Sequence, residues 1–311
     1  MKRILVIYYS HSGDVARSVK SFVKYLDIPE VQLCWECLKP KADYPYPWNL
    51  YQFFDIFPEC INEEPPEIYP PKFGKDEKFD LVIIAYQVWF LSPSLPIQAF
   101  LKSEYATILE NTKVITLIGC RNMWHSASET MKRMIIKAGG IHIDNVVVTH
   151  QGPPLTTFIT TPRLLLTGKK DRFLGVLPPA GFRDEEIDAL SRFGKQIAIS
   201  LNILNEFSHQ SLLRNLNAVD VNRRYVIPEI IGRFLYLPWA KLARFFGKAG
   251  SWSRLPIIYI FAFHLCFAIP IILLISIMIR ALIYPLFNKK FQSYVEILES
   301  PSGILQKESV N

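Results

Sequence analysis

Two periods of hydrophobicity alternate along the first 207 residues. Short runs rich in Val and Ile are each followed by a longer stretch whose apolar positions fall three and four apart. Arg3–Tyr9 precedes Gly13–Leu26, Asp80–Ala85 precedes Leu95–Tyr105, and Lys113–Gly119 precedes His125–Ala138. Ile141–Thr149 precedes Asp184–Phe207 across an insertion, and Val31–Cys37 is a weaker run of the strand type. Continuous apolar strands separated by helices suit a parallel sheet covered on both faces, because each strand is then buried on both sides. The pattern predicts an α/β domain over residues 1–207, a doubly wound, five-stranded parallel sheet.

Two insertions depart from this plan. Residues 39–75 hold eight of the 22 prolines, together with Tyr44, Tyr46, Trp48, Tyr51, Phe53, Phe54 and Phe57. A loop that aromatic is expected to fold back over the domain. Residues 150–183 form the second insertion and end in the charged cluster Gly168–Arg172.

Beyond the domain, Leu255–Ile279 is 25 residues without a formal charge, with His264 and Pro270 as its irregularities. As a helix it measures about 37 Å, more than the ~30 Å hydrocarbon core of a bilayer. A C-terminal transmembrane helix is therefore expected, with a buried core helix as the alternative. Residues 208–254 before it form a basic, amphipathic, membrane-proximal region. On a helical wheel of Pro228–Lys248, the basic residues Arg233, Lys241, Arg244 and Lys248 share one edge, beside Trp239, Phe245 and Phe246. Such a helix suits the headgroup layer; packing on the domain with a solvated basic edge is the competing arrangement. Pro238 is expected to kink or split it. Residues 280–311 are a polar tail.

Charge sharpens this division. Residues 1–209 carry 23 basic and 23 acidic residues, whereas residues 210–290 carry 11 basic residues against Asp220 and Glu229. A basic block beside an apolar run marks a membrane surface, and no nucleic-acid partner is expected. Five basic residues (Arg233 to Arg254) precede the apolar run and three follow it, which places the domain on the cytoplasmic side of an inner membrane. Met1–Ser10 reads as a strand and not as a signal peptide. The five cysteines are odd in number and scattered, as in a reducing compartment. The Cys34-x-x-Cys37 pair lacks the second pair that zinc requires, so no metal is expected.

In an open α/β sheet the ligand sits beyond the C-terminal ends of the strands, and three loops meet there. The first is Ser10-His11-Ser12-Gly13-Asp14-Val15, where hydroxyls and a glycine at a helix N-terminus offer what a phosphate requires. A plain N-cap uses the same residues. The second is Tyr86-Gln87-Val88-Trp89-Phe90, and the third is Cys120-Arg121-Asn122-Met123-Trp124. Their aromatic side chains suit stacking on a flat ligand; anchoring of the loops in the core is the other use.

These loops carry a resemblance over about residues 1–207. YYSHSG followed by a helix resembles the phosphate loop of flavodoxins, and FDLVIIAYQVWFLSPSLPIQAFL resembles the flavin-ring loop of flavodoxin-type quinone and FMN reductases. PYPW, FFDIFPE, YQVWFLSPSLP, IGCRNMW and TGKKDRFLG, with the C-terminal apolar run, resemble more narrowly the dialkylresorcinol condensing enzyme family. That family accompanies a ketosynthase in making dialkylresorcinols and flexirubin-type lipids. The resemblance implies a flavodoxin-like fold and FMN, with Ser10, Ser12 and Gly13 at the phosphate and Tyr86–Phe90 and Cys120–Trp124 around the ring. Two residues depart from the flavodoxin loop: Val15 stands where its last hydroxyl falls, and Asp14 brings a charge that opposes a dianion by about 1–2 kcal/mol. Arg17, one turn on, stands to offset it.

The reading that follows is a membrane-attached, flavin-dependent oxidoreductase acting on a lipophilic substrate. It would remove hydride from a dialkyl cyclic dione supplied by a partner ketosynthase, leaving a resorcinol. Tyr86 and His125 are the expected proton carriers and Arg121 the expected oxyanion holder. A flavodoxin-like NAD(P)H:quinone reductase, with Lys169, Lys170 and Arg172 on the nucleotide phosphates, is the second reading. A flavin-free module binding lipid or the ketosynthase is the third, supported by Asp14 and Val15.

Overall fold

The computed structural model describes residues 1–201, 211–213 and 216–300. Five parallel strands, β1 (Lys2–Tyr8), β2 (Val31–Cys37), β3 (Leu81–Trp89), β4 (Lys113–Cys120) and β5 (Ile141–Thr149), lie in the order β2-β1-β3-β4-β5. That order is the flavodoxin-like, doubly wound one, with its switch point between β1 and β3.

Alternation along the strands builds two cores. Leu5, Ile7, Val82, Ile84, Tyr86, Val114 and Ile118 pack with α4 (Leu95–Lys102) and α5 (His125–Lys137) on one face. Ile4, Val6, Leu81, Ile83, Ala85, Ile115 and Leu117 pack with α1 (Asp14–Phe22) and α8 (Ser191–Ser200) on the other. At Gly194 a Cβ would stand 2.0 Å from the carbonyl oxygen of Phe22, so glycine is what lets α8 approach α1.

Several boundaries differ from expectation. β3 runs three residues past Tyr86, because Val88 and Trp89 pair in antiparallel fashion with Pro93 and Ser92 after a turn through Phe90 and Leu91, both with positive φ. The first insertion forms α2 (Leu50–Asp55) and α3 (Phe57–Asn62), and the second contains α6 (Pro154–Thr167), which continues through Pro162. The helix expected over Asp184–Phe207 is two, α7 (Asp184–Ala189) and α8; residues 202–207 lie outside the described residues. α9 (Arg223–Phe246) is one helix of 24 residues and is not split at Pro238.

The aromatic insertion folds back as anticipated, and the C-terminal helices pack on it. α9 lies against α3 and α5, and α10 (Leu255–Glu299) lies against α9 and α2. Phe57 of α3 stacks on Phe261 of α10 with centroids 3.8 Å apart. Two of the basic residues assigned to lipid headgroups are turned to the insertion instead: Arg244 pairs with Glu64, and Arg233 lies 4.0 Å from Glu63. The helical stretch Trp252–Ile269, a short turn running into α10, is long and apolar enough to cross a membrane. α10 also continues well past Ile279, and near its far end Val295 and Leu298 are buried in the core beneath the sheet. Part of the expected polar tail is thus helix, and residues 301–311 lie outside the described residues.

The start of α10 is fixed by a buried ion cluster. Arg254 is fully buried and donates from Nε to Asp55 Oδ1 at 2.6 Å and from its terminal nitrogens to Glu59 at 2.7 and 3.2 Å. Asp55 also accepts the Gly250 N–H at 2.7 Å. Replacing Arg254 with Met should lower the stability of the detergent-solubilised chain by about 3–5 kcal/mol, because two carboxylates stay buried without their cation. Urea denaturation followed by circular dichroism measures this. A loss below about 1 kcal/mol would mean that water reaches the cluster.

Candidate functional site

A cavity of about 800 Å³ opens at the C-terminal ends of β3 and β4. Its floor is Gln87, Val88, Trp89, Gly119, Cys120 and Arg121, and Ser12 and Asp14 of the first loop border it. Trp48 and α2 wall it on one side and α6 on another. From there it continues past Tyr236 of α9 to Ala262, Cys266 and Ile269 of α10. The lining is overwhelmingly apolar, and α9 and α10 supply residues that the sequence reading had kept outside the site.

The first loop leaves a run of backbone N–H groups open at the N-terminus of α1. Gly13 takes φ +86°, and a Cβ there would meet nothing within 4 Å. Ala16 donates its N–H to Ser10 Oγ at 3.1 Å, whereas the N–H groups of Ser12, Gly13, Asp14 and Val15 meet no acceptor among the described residues. Unpaired N–H groups at a helix N-terminus are the donors that phosphate uses. Val15 supplies no hydroxyl because its side chain is turned into the sheet, where its methyl would lie 2.8 Å from a Cβ on Gly119. Asp14 is buried, and its charge is met by Lys170 and, at 3.9 Å, by Arg17. The carboxylate that opposes a dianion is therefore neutralised from the second insertion. That pairing also occupies the lysine expected to bind a nucleotide phosphate.

His11 shapes the loop and stays out of the cavity. Its backbone N–H donates to Gln87 Oε1 at 3.1 Å, and its ring Nε2 donates to the Pro45 carbonyl at 2.9 Å. The ring stacks on Trp48 with centroids 4.6 Å apart and meets Trp89 edge-on. Burial lowers its pKa, so the ring is neutral at pH 7.

Three residues expected around the ligand are elsewhere. Tyr86 follows Val82 and Ile84 on the α4–α5 face, is fully buried, and has its phenol pushed to high pKa by burial. Trp124 is buried in the same core. His125 is buried with its Nδ1 2.6 Å from Glu229 of α9, whose other oxygen accepts the Ser126 N–H. The strand period carries Tyr86 inward, and the first turn of α5 carries Trp124 and His125 under α9. Asn122 donates to Thr157 of α6 at 3.3 Å, and Met123, Phe90 and Cys120 line the cavity as expected.

The imidazole that does reach the cavity is His150. It follows β5 directly, so the strand end at Thr149 was the signal for it. Its Nδ1 lies 3.0 Å from Thr161 Oγ1, and Phe182 packs on it edge-on. Arg121 also lines the cavity, with its guanidinium 3.6 Å above the Phe158 ring.

No protein-family model matches the chain. No curated protein matches it either. Solved structures similar to it include a flavoprotein in complex with FMN from Lactobacillus acidophilus NCFM, at 20% identity over 47% of this chain and 93% of that one, with a TM-score of 0.38. A flavodoxin from the domain Archaea is 10% identical over 64% and 99%, with a TM-score of 0.35. A Fusobacterium nucleatum flavodoxin bound to flavin mononucleotide is 12% identical over 49% and 72%, with a TM-score of 0.27.

Burial pushes the His150 pKa down from 6.5 to about 4. In the unfolded chain the ring takes up a proton as pH falls through 6.5, whereas the folded state refuses it until about 4. Its contribution to stability is thus complete above pH 6.5 and lost as pH falls toward 4, by up to about 3 kcal/mol. Replacing His150 with Gln should flatten that part of the stability-versus-pH curve, as read by urea denaturation. An unchanged slope would mean that the ring is already charged in the fold.

Proposed function

We propose that the protein is a membrane-attached flavin oxidoreductase, with FMN at the strand-end mouth of the cavity and a lipophilic substrate in the arm beside α10. The observation that carries this is the continuity of one apolar cavity from Ser12 and Asp14 at the anion cradle to Cys266 and Ile269 on the apolar helix. Its volume, about 800 Å³, lies in the upper part of the range of ligand and cofactor pockets.

The residues present fit the cofactor. The free N–H groups of residues 12–15 and the open space over Gly13 suit a phosphate, and Lys170 removes the penalty of Asp14. Trp89 and Trp48 offer aromatic surface at the mouth. When bound, FMN accepts hydride from carbon and passes electrons on to oxygen or a quinone. The chain's own contribution is to exclude water through its apolar lining and to hold an oxyanion at Arg121.

The motifs shared with the dialkylresorcinol condensing enzyme family support a finer reading. Loss of a hydride and a proton from a dialkyl cyclohexanedione leaves a resorcinol, and a partner ketosynthase would supply the dione. Alkyl chains of that kind partition into lipid, which gives the exposed apolar face of α10 its use. Attachment is to the cytoplasmic side of the inner membrane, in line with the basic residues ahead of the apolar run. The flavin-free reading keeps one observation in its favour, the buried carboxylate of Asp14 inside the cradle.

Denaturing the purified full-length protein should release FMN, seen by its visible absorbance and chromatographic retention. In reconstitution, Gly13→Val should weaken FMN about tenfold or more, through the left-handed φ and the lost phosphate space. Asp14→Asn should bind FMN as well or better, since Lys170 is then free for the phosphate. Binding that survives Gly13→Val but fails in Asp14→Asn would assign the loop to something other than phosphate and favour the flavin-free module.

A further inference from the structure

Arg121 is the only arginine or lysine that lines the cavity, and its charge has no partner among the described residues. Lys170 is paired with Asp14, Arg233 lies near Glu63, and Arg254 is held by Asp55 and Glu59. Arg121 makes no hydrogen bond and no ion pair among the described residues; its contact is the face of Phe158. Burial lowers its pKa, yet a guanidinium remains charged at any physiological pH. The acid that lines the cavity, Asp14, is already neutralised. A cation-bearing fork without an acceptor, in an apolar chamber, is costly unless a ligand completes it.

The chamber around it gives the shape of that ligand. Phe158 covers one face of the guanidinium, and Tyr236 of α9 lines the same cavity as Ala262, Cys266, Ile269 and Ile272 of α10. A head small enough for the strand-end floor and a hydrocarbon chain along α10 would fill both parts.

We infer that Arg121 is the headgroup site for an anionic amphiphile, so that the substrate binds as an oxyanion, either a ring enolate or a carboxylate, with its alkyl chain against α10. A cyclic dione flanked by its two carbonyls is a vinylogous acid and fits this class. The inference rests on reading the cavity as a substrate site, and it holds whether or not FMN sits beside it.

The test uses the full-length chain in phosphatidylcholine nanodiscs and three probes: a dodecyl-substituted cyclic dione, its neutral methyl enol ether of nearly the same shape, and dodecanoate. Affinities come from calorimetric titration, with FMN content measured on each sample. The dione and dodecanoate should bind the wild type about tenfold or more tightly than the enol ether, as a charge-assisted pair predicts. In Arg121→Gln that preference should vanish, and in Arg121→Lys it should survive in part because the charge remains while the fork is lost. If Arg121→Gln does not fold, the wild type decides alone: dione affinity should drop on acidification through the dione's own ionisation while enol ether affinity stays level. Equal binding of dione and enol ether to the wild type, or a preference kept in Arg121→Gln, overturns the inference. So does loss of FMN in Arg121→Gln without any change in probe binding, which would give the guanidinium to the cofactor. Anion preference in a protein that releases no FMN would uphold the inference and reject the flavin reading.

Discussion

The site depends on Arg254 and its two carboxylates. Asp55 and Glu59 belong to the aromatic insertion, and Arg254 stands at the start of α10, almost two hundred residues later in the chain. Nothing in the sheet requires these segments to meet. Their pairing holds α2 and α3 under α10, and the Phe57–Phe261 stack continues the same contact in apolar form. Without it the strand-end crevice would be an open groove of the ordinary doubly wound kind. With it the crevice becomes a chamber whose far wall is the apolar helix.

A second electrostatic pairing decides what the chamber's mouth can accept. Asp14 sits at the first turn of α1, where a carboxylate is stabilised by the helix N-terminus but competes with any incoming anion. Lys170 reaches it from the second insertion, so the loop enters binding close to neutral. Arg121 enters it charged. Two cations near one cavity therefore behave differently, because one has been given a partner by the fold and the other has none among the described residues.

Much of the fold could be read from the sequence. The runs of Val and Ile in β1, β3, β4 and β5 are buried on both faces, and such continuity leaves few alternatives to a parallel sheet. The glycine turn ahead of α1 and the folding back of the aromatic insertion were legible for the same reason, since glycine before a helix and clustered aromatic residues each have a narrow set of uses. Tyr86, Trp124 and His125 were misplaced because a motif gives the position of a residue in the chain and not the face on which it emerges. For Tyr86 the period of two from Val82 and Ile84 already pointed inward. His125 could not have been settled that way, since its partner Glu229 is 104 residues distant. The α10 lining was missed because it enters the site from a segment that the sequence places beyond the domain, and His150 because the strand that carries it was read only for the sheet and not for the loop at its end.

The wall formed by α10 is one helix thick, and its outer side is as apolar as its inner side. Ile260, Phe267, Ile271, Ile275, Ile277 and Met278, which do not line the cavity, are each between 42 and 66 % exposed. Half-burying side chains of this size is worth about 1–1.5 kcal/mol apiece, so together they amount to about 6–9 kcal/mol, comparable to the whole stability of an ordinary domain. In water that sum is forfeited. The conformational free energy of this protein is therefore a joint property of the chain and of the medium beside α10, and a melting temperature has meaning only when the detergent or lipid in which it was taken is named.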